Sequence, residues 1–214
     1  MNSSEGSTPQ NRSSRDPRPS RVLLSVATLA IVFAAAAVTL VATRDHRQPP
    51  APSAIGGPFS LTATDGSTVS EQTYAGKWEL IYFGYTFCPD ACPTALSDIT
   101  LALEKLGPTA AQVKPLFITV DPKRDTRAVL ADYLKSFDPR ITGLTGTEAQ
   151  TSYIAAVYHV FIKPNSEEGG DGLVDHSAYV YVMDPHGKFV DVIDGATSGD
   201  AMAEELRKLM DHYF

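Results

Sequence analysis

The sequence predicts an α/β protein: a central mixed β-sheet flanked by helices, preceded by one transmembrane helix. Three observations lead there. Trp78–Tyr85 and Val113–Val120 are continuous apolar runs, as for strands buried on both faces. Amphipathic stretches alternate with the strand-like ones, which a sheet covered by helices on both faces requires. Ahead of them all, Val22–Thr43 runs 22 residues without a charge.

Residues 1–21 are rich in Ser, Pro and Arg, with almost nothing apolar, and are expected to be a disordered tail. Residues 22–43 would span about 33 Å as a helix, enough for the hydrocarbon core of a bilayer. The alternative is a cleaved signal peptide, but its apolar region normally runs about 7–15 residues, so an uncleaved anchor is favoured. Arg12, Arg15, Arg18 and Arg21 precede the span, and only Arg44 and Arg47 follow closely. The positive-inside rule then places the N-terminus in the cytoplasm and the remainder on the outer, periplasmic or equivalent, side of a single-pass membrane protein. Residues 44–57 contain QPPAPSAIGG, a linker by composition. Residues 58–214 are left as one domain, long enough for a sizeable core.

Within that domain, Phe59–Ala63 and Ser67–Ser70 flank Asp65-Gly66, a hairpin signal. After the strand Trp78–Tyr85 a helix is predicted from about Asp90 to Lys105, ended by Gly107-Pro108. The strand Val113–Val120 is followed by an amphipathic stretch, Thr126–Phe137, and a short strand, Ile141–Leu144. Thr147-Glu148-Ala149-Gln150 matches a capping box and opens another helix. Ser177–Met183 and Lys188–Ile193 are strands around the tight turn Asp184–Gly187. Met202, Leu206, Leu209, Met210 and Tyr213 recur at helical spacing and are expected to face the core.

Composition excludes several functions. The chain of 214 residues is 43% hydrophobic and 20% charged, which is globular. Residues 1–47 carry six basic and three acidic side chains; with a total charge of -7, the rest of the chain stands at -10. So acidic a body argues against nucleic acid as a partner, because that affinity comes largely from Lys and Arg at phosphate. Two cysteines make no disulfide scaffold.

Both cysteines lie in FGYTFCPDACP, where the first central strand ends and a helix begins. Three residues separate Cys88 from Cys92, so a helix starting between them would present both thiols on one face. A helix N-terminus favours thiolate and lowers a thiol pKa. Such spacing allows a disulfide, and two adjacent thiolates form a soft site suited to Cu(I) or Zn. Buried structural cysteines and a stapling disulfide are the bland readings. A disulfide closing so short a loop stabilises little, which favours reactivity. A metal would need a further ligand, and five histidines are candidates. His46 is in the linker, His212 on the solvated side of the last helix, His159 in an apolar run that suits a core position, and His186 in an exposed turn. His176 lies between an acidic loop and a hydrophobic strand, where it can reach the end of a neighbouring strand.

The motifs FGYTFCPDACPTALSDI, ITVDPKRDT and VDHSAYVYVMDPHGKFVD together resemble the Sco (SenC) family of membrane-anchored copper proteins. The resemblance covers nearly all of residues 58–214 and implies a thioredoxin-like fold. It also implies that Cys88 and Cys92 are the redox-active, copper-binding pair and that His176 is the third ligand. One copper per chain is implied, as Cu(I) or also Cu(II), in a three-coordinate site open to a partner's ligands. Asp121 and Asp125 match a further family motif; either they support the site or contact a partner, or Asp125 or Thr126 merely caps the next helix. Asp90 could orient a ligand or favour the helix N-terminus, and Asp175 could fix the His176 ring.

The function implied is a metallochaperone that delivers copper to the dinuclear copper site of cytochrome c oxidase during assembly. Its partner would be the oxidase subunit that carries this site, with tethering raising local concentration. The alternative is a thiol–disulfide oxidoreductase that reduces the cysteines of that subunit through Cys88 and Cys92. A peroxiredoxin-like reading is weaker, because it has no need of His176. Nothing in the sequence demands more than a monomer.

Overall fold

The computed structural model describes residues 55–164 and 174–213. The proposed tail, membrane span, His46 and most of the linker lie outside the described residues. Among those described, no helix is long and apolar enough to cross a membrane.

Among the described residues, nine strands and four α-helices are present, and all but two of the strands follow the predicted alternation. Strands β1 (Ser60–Ala63) and β2 (Thr68–Ser70) pair antiparallel around Asp65-Gly66. Strand β3 (Trp78–Gly84) is buried at all seven positions and leads to helix α1 (Ala91–Leu106). Gly107 ends α1 at φ +59°, a conformation that glycine adopts freely. Strand β4 (Val113–Thr119) lies parallel to β3. Thr126, not Asp125, caps α2 (Arg127–Leu134), accepting from the Val129 N–H. Strand β5 (Thr142–Thr145) comes next. The capping box is present: the Thr147 hydroxyl accepts from the Gln150 N–H at the start of α3 (Glu148–Val157).

Strands β6 (Ile162–Pro164) and β7 (Val174–His176) make a separate two-stranded antiparallel arm that the sequence reading did not anticipate. The chain closes with β8 (Tyr179–Met183), β9 (Phe189–Asp194) and α4 (Gly199–His212). The main sheet runs β2-β1-β5-β4-β3-β8-β9, with β3, β4 and β5 parallel and the other pairs antiparallel.

Alternation along β3 divides the core. Trp78, Leu80 and Tyr82 face α1, α2 and α4; Ile81 and Phe83 face α3 and residues of the first hairpin. The mixed sheet with helices on both faces is thus as predicted. Two side chains depart from expectation. His159 is exposed at φ +55°, just past the end of α3, and not in the core. Tyr213 is 41% exposed; its ring meets Trp78 edge-on at 5.2 Å and its hydroxyl donates to Asp184.

Glu79 breaks the apolar run of β3, only 4% exposed. Burial, with the Glu71 carboxylate nearby, pushes its carboxyl from the ordinary 4.5 up to about 7. The folded chain therefore keeps a proton that the unfolded chain releases above about pH 4.5. This contribution to stability is complete below that pH and is lost as pH rises through 7. At about 1.4 kcal/mol per pKa unit, Glu79→Gln is expected to stabilise the chain at pH 8 by up to about 3 kcal/mol. Little should change near pH 5. Denaturant unfolding at both pH values checks this, and parallel pH profiles for parent and variant would refute it.

Candidate metal centre

The loop from Tyr85 to Asp90 carries the chain from the end of β3 into α1. Helix α1 starts at Ala91, so Cys92 sits in its first turn and Cys88 in the loop before it. The thiols therefore meet through the turn and not through helical spacing. The Cys88 N–H donates to the Tyr85 carbonyl at 3.3 Å, and the Cys92 N–H donates to Cys88 Sγ at 3.4 Å. Asp90, in the cap position, makes no side-chain cap bond, and the Cys88 sulfur takes one of the free first-turn N–H groups instead. Asp90 accepts only a long bond from the Thr94 hydroxyl, at 3.4 Å.

Both cysteines are free thiols, Cys88 half-buried and Cys92 buried. Desolvation reverses the expected effect of the helix terminus on Cys92, pushing its thiol up to about 12. Its sulfur packs over the backbone of Gly84, where an added Cβ would approach it to 2.9 Å. A glycine at the end of β3 is what makes room for that sulfur.

His176, 84 residues further on, completes the cluster: its Nε2 lies 3.5 Å from Cys92 Sγ. Nδ1 is 3.1 Å from the Ser177 carbonyl oxygen. A proton on Nδ1, donated to that carbonyl, leaves the Nε2 lone pair turned to the sulfur. The ligand atoms of Cys88, Cys92 and His176 all lie within 4.8 Å of one another. The ring of His176 stands edge-on to Tyr85 at 5.9 Å and to Tyr82 at 6.2 Å. The Tyr85 hydroxyl accepts from the Val174 N–H at 3.1 Å and so ties β7 to the end of β3. Cys88 and His176 border an open groove of about 310 Å³, shared with Tyr85, Pro89, Asp90 and Ala178.

The two aspartates of the DPKRD motif differ. Asp125 is wholly buried. Its carboxylate accepts from the Thr86 N–H at 3.1 Å, the Thr86 hydroxyl at 2.6 Å and the Thr119 hydroxyl at 2.6 Å. It thereby anchors the loop two residues before Cys88. Asp121 pairs with Arg124, whose guanidinium lies over the exposed ring of Phe87 at 4.9 Å and over Tyr85 at 5.7 Å.

Sequence reasoning missed Tyr82, Tyr85, Thr86 and Thr119. The aromatic run around Tyr82 and Tyr85 signals only a buried strand, and nothing local to Thr86 or Thr119 points to an aspartate on another segment.

Donors of this kind, two soft sulfurs and an imidazole, suit a soft monovalent ion better than zinc, which takes four ligands in closed sites. The SCO1/SenC family model matches residues 47–211. The human mitochondrial SCO1 homolog is 41% identical over 140 residues, covering 64% of this chain and 46% of its own length. Mitochondrial SCO1 of Saccharomyces cerevisiae is 42% identical over 160 residues, 72% of this chain and 54% of its own. The chain thus spans about half the length of the curated relatives it matches. A copper-bound structure of Bradyrhizobium japonicum ScoI superposes with a TM-score of 0.67 at 42% identity, over 73% of this chain and 99% of that one. Copper-bound yeast Sco1 gives a TM-score of 0.69 at 39% identity, over 75% and 91%. Sequence motifs, fold and family match agree: the chain belongs to the SCO1/SenC family.

Proposed function

We propose that the chain is a membrane-anchored copper metallochaperone. Copper is its cargo, one ion per chain, held by Cys88, Cys92 and His176. It is delivered to the dinuclear copper site of cytochrome c oxidase during assembly, and the subunit carrying that site is the partner. The observation that carries this reading is the convergence of the three donors within 4.8 Å, two of them bordering an open groove. A three-coordinate Cu(I) site of this kind leaves room for a partner's donor to enter and a bound ligand to leave. Relatives with the same fold have been solved with copper bound. In this reading residues 22–43 are the anchor, 44–57 the linker, and 58–214 a thioredoxin-like domain on the outer side of the membrane. Asp125 supports the loop that carries Cys88, and Asp121, through Arg124 and Phe87, shapes the surface met by the partner.

A second reading rests on the unequal burial of two free thiols. Cys88, reachable from the groove, would attack a disulfide of the oxidase subunit. That attack would form a mixed disulfide with Cys88 and release one partner thiolate; Cys92 would then attack the Cys88 sulfur, expel the second partner thiolate and close a Cys88–Cys92 disulfide, passing two electrons to the partner.

The test is copper stoichiometry on the reduced full chain in detergent, against a competing Cu(I) chelator. One tightly held Cu(I) per chain is expected. No tight copper, with a pair that still reduces a disulfide, would overturn the chaperone in favour of the reductase.

A further inference from the structure

Tyr82 is fully buried, its ring stacked on Phe117 at 6.2 Å and edge-on to His176 at 6.2 Å. Its hydroxyl is buried too, yet forms no hydrogen bond of ordinary geometry. A buried, unpaired hydroxyl is costly, and phenylalanine would fill the same volume without that cost. The neighbour within its reach is the thiol of Cys92. Tyr82 and Gly84 lie on the same face of β3, the face on which the Cys92 sulfur packs. A protonated thiol is a weak acceptor, whereas a thiolate is a strong one.

We propose that Tyr82 is a positioning residue for the metal centre, its O–H donating to Cys92 Sγ once that sulfur is a metal-bound thiolate. The inference rests on the copper reading above and deepens it. The hydroxyl, whose contact with the neutral thiol is weak in the free protein, gains a strong acceptor on loading. Cys92 is thus held by Gly84 beneath, by Tyr82 at the side and by its own helix turn. The bond also withdraws charge from the sulfur, lowering its donor orbital and favouring the reduced ion.

The test is Tyr82→Phe in the full chain in detergent, with Tyr133→Phe as control. Tyr133 also has a buried, unpaired hydroxyl on this side of the sheet. Its ring packs against Phe117 and Phe137, and its hydroxyl bonds to neither cysteine. Three quantities are read: the thermal midpoint without metal, Cu(I) affinity by chelator competition, and the sulfur-to-copper charge-transfer band of the Cu(II)-loaded protein. Tyr82→Phe should leave the metal-free midpoint unchanged or higher, since only a weak contact with a neutral thiol is lost. It should weaken Cu(I) binding by about 10- to 100-fold, as for other partners of metal ligands, and move the band to longer wavelength. Tyr133→Phe should move neither affinity nor band. The proposal is overturned if Tyr82→Phe keeps the parent's affinity and band, or if both variants shift alike. A parent chain that binds no copper and shows no band would instead remove the copper reading itself, and this proposal with it.

Discussion

His176→Ala is expected to weaken Cu(I) binding by more than about 100-fold, beyond what partners of ligands usually contribute. The fold should tolerate the change. His176 is half-buried at the end of the short arm, and its Nδ1 contact with the Ser177 carbonyl, at 3.1 Å, is worth about 1 kcal/mol. The two thiols keep their places in the variant, because Gly84 and the first turn of α1 position them independently of β7. Reduction of a model disulfide should therefore proceed at close to the parent rate. Chelator competition and a thiol-exchange assay on the same preparation make the comparison. Full copper affinity in His176→Ala would remove the histidine from the ligand set. Loss of both activities would mean that the arm shapes the cysteine loop as well.

Asp125→Ala is expected to have the largest effect on stability. It strips the acceptor from two threonine hydroxyls and one backbone N–H in a fully buried place. Leaving those donors unpaired costs roughly 3–5 kcal/mol, which corresponds to a fall in thermal midpoint of about 10 °C for a domain of this size. Asp125→Asn, which keeps the shape and one carbonyl acceptor, should lose less. Because Thr86 is two residues from Cys88, copper affinity should fall along with stability. An unchanged midpoint in Asp125→Ala, measured by calorimetry on the metal-free protein, would show that the carboxylate does not hold the loop.

What the sequence made legible follows from how local each signal is. Cys88 and Cys92 announce themselves, since a strand end, two prolines and a helix start surround them within eleven residues, FGYTFCPDACP. The long elements were equally plain, because apolar runs and a capping box act over a few residues. His176 was different. Nothing in its spacing from the cysteines, 84 residues away from Cys92, says that the fold brings them together; the family resemblance supplied it. The arm that carries it has strands of three residues, too short to show any period. Asp125 admits two readings in the sequence because a helix start follows it; in the structure Thr126 caps the helix and the aspartate is free to hold the loop. Glu79 and the Tyr82 hydroxyl were hidden inside WELIYFGY, where hydropathy dominates and a single polar group leaves no trace. The pKa expectation for the cysteines failed at Cys92 for the same reason: a motif shows the helix terminus but not the burial that opposes it.

The two-stranded arm divides the donors between different levels of the folding hierarchy. Cys92 belongs to the main core, whose exposure requires the chain to unfold as a whole. His176 belongs to a pair of short strands whose backbone ladder is closed on itself, bonded to the Tyr85 hydroxyl and packed on the core through Val174 and Ile162. No strand of the main sheet pairs with the arm, so opening it breaks none of the ladder bonds of that sheet. On the copper-transfer proposal, an acceptor competing for the ion would face only the smaller of two barriers. It would displace the imidazole first, while the sulfurs kept their grip, so tight retention and ready exchange would be set by separate parts of one chain.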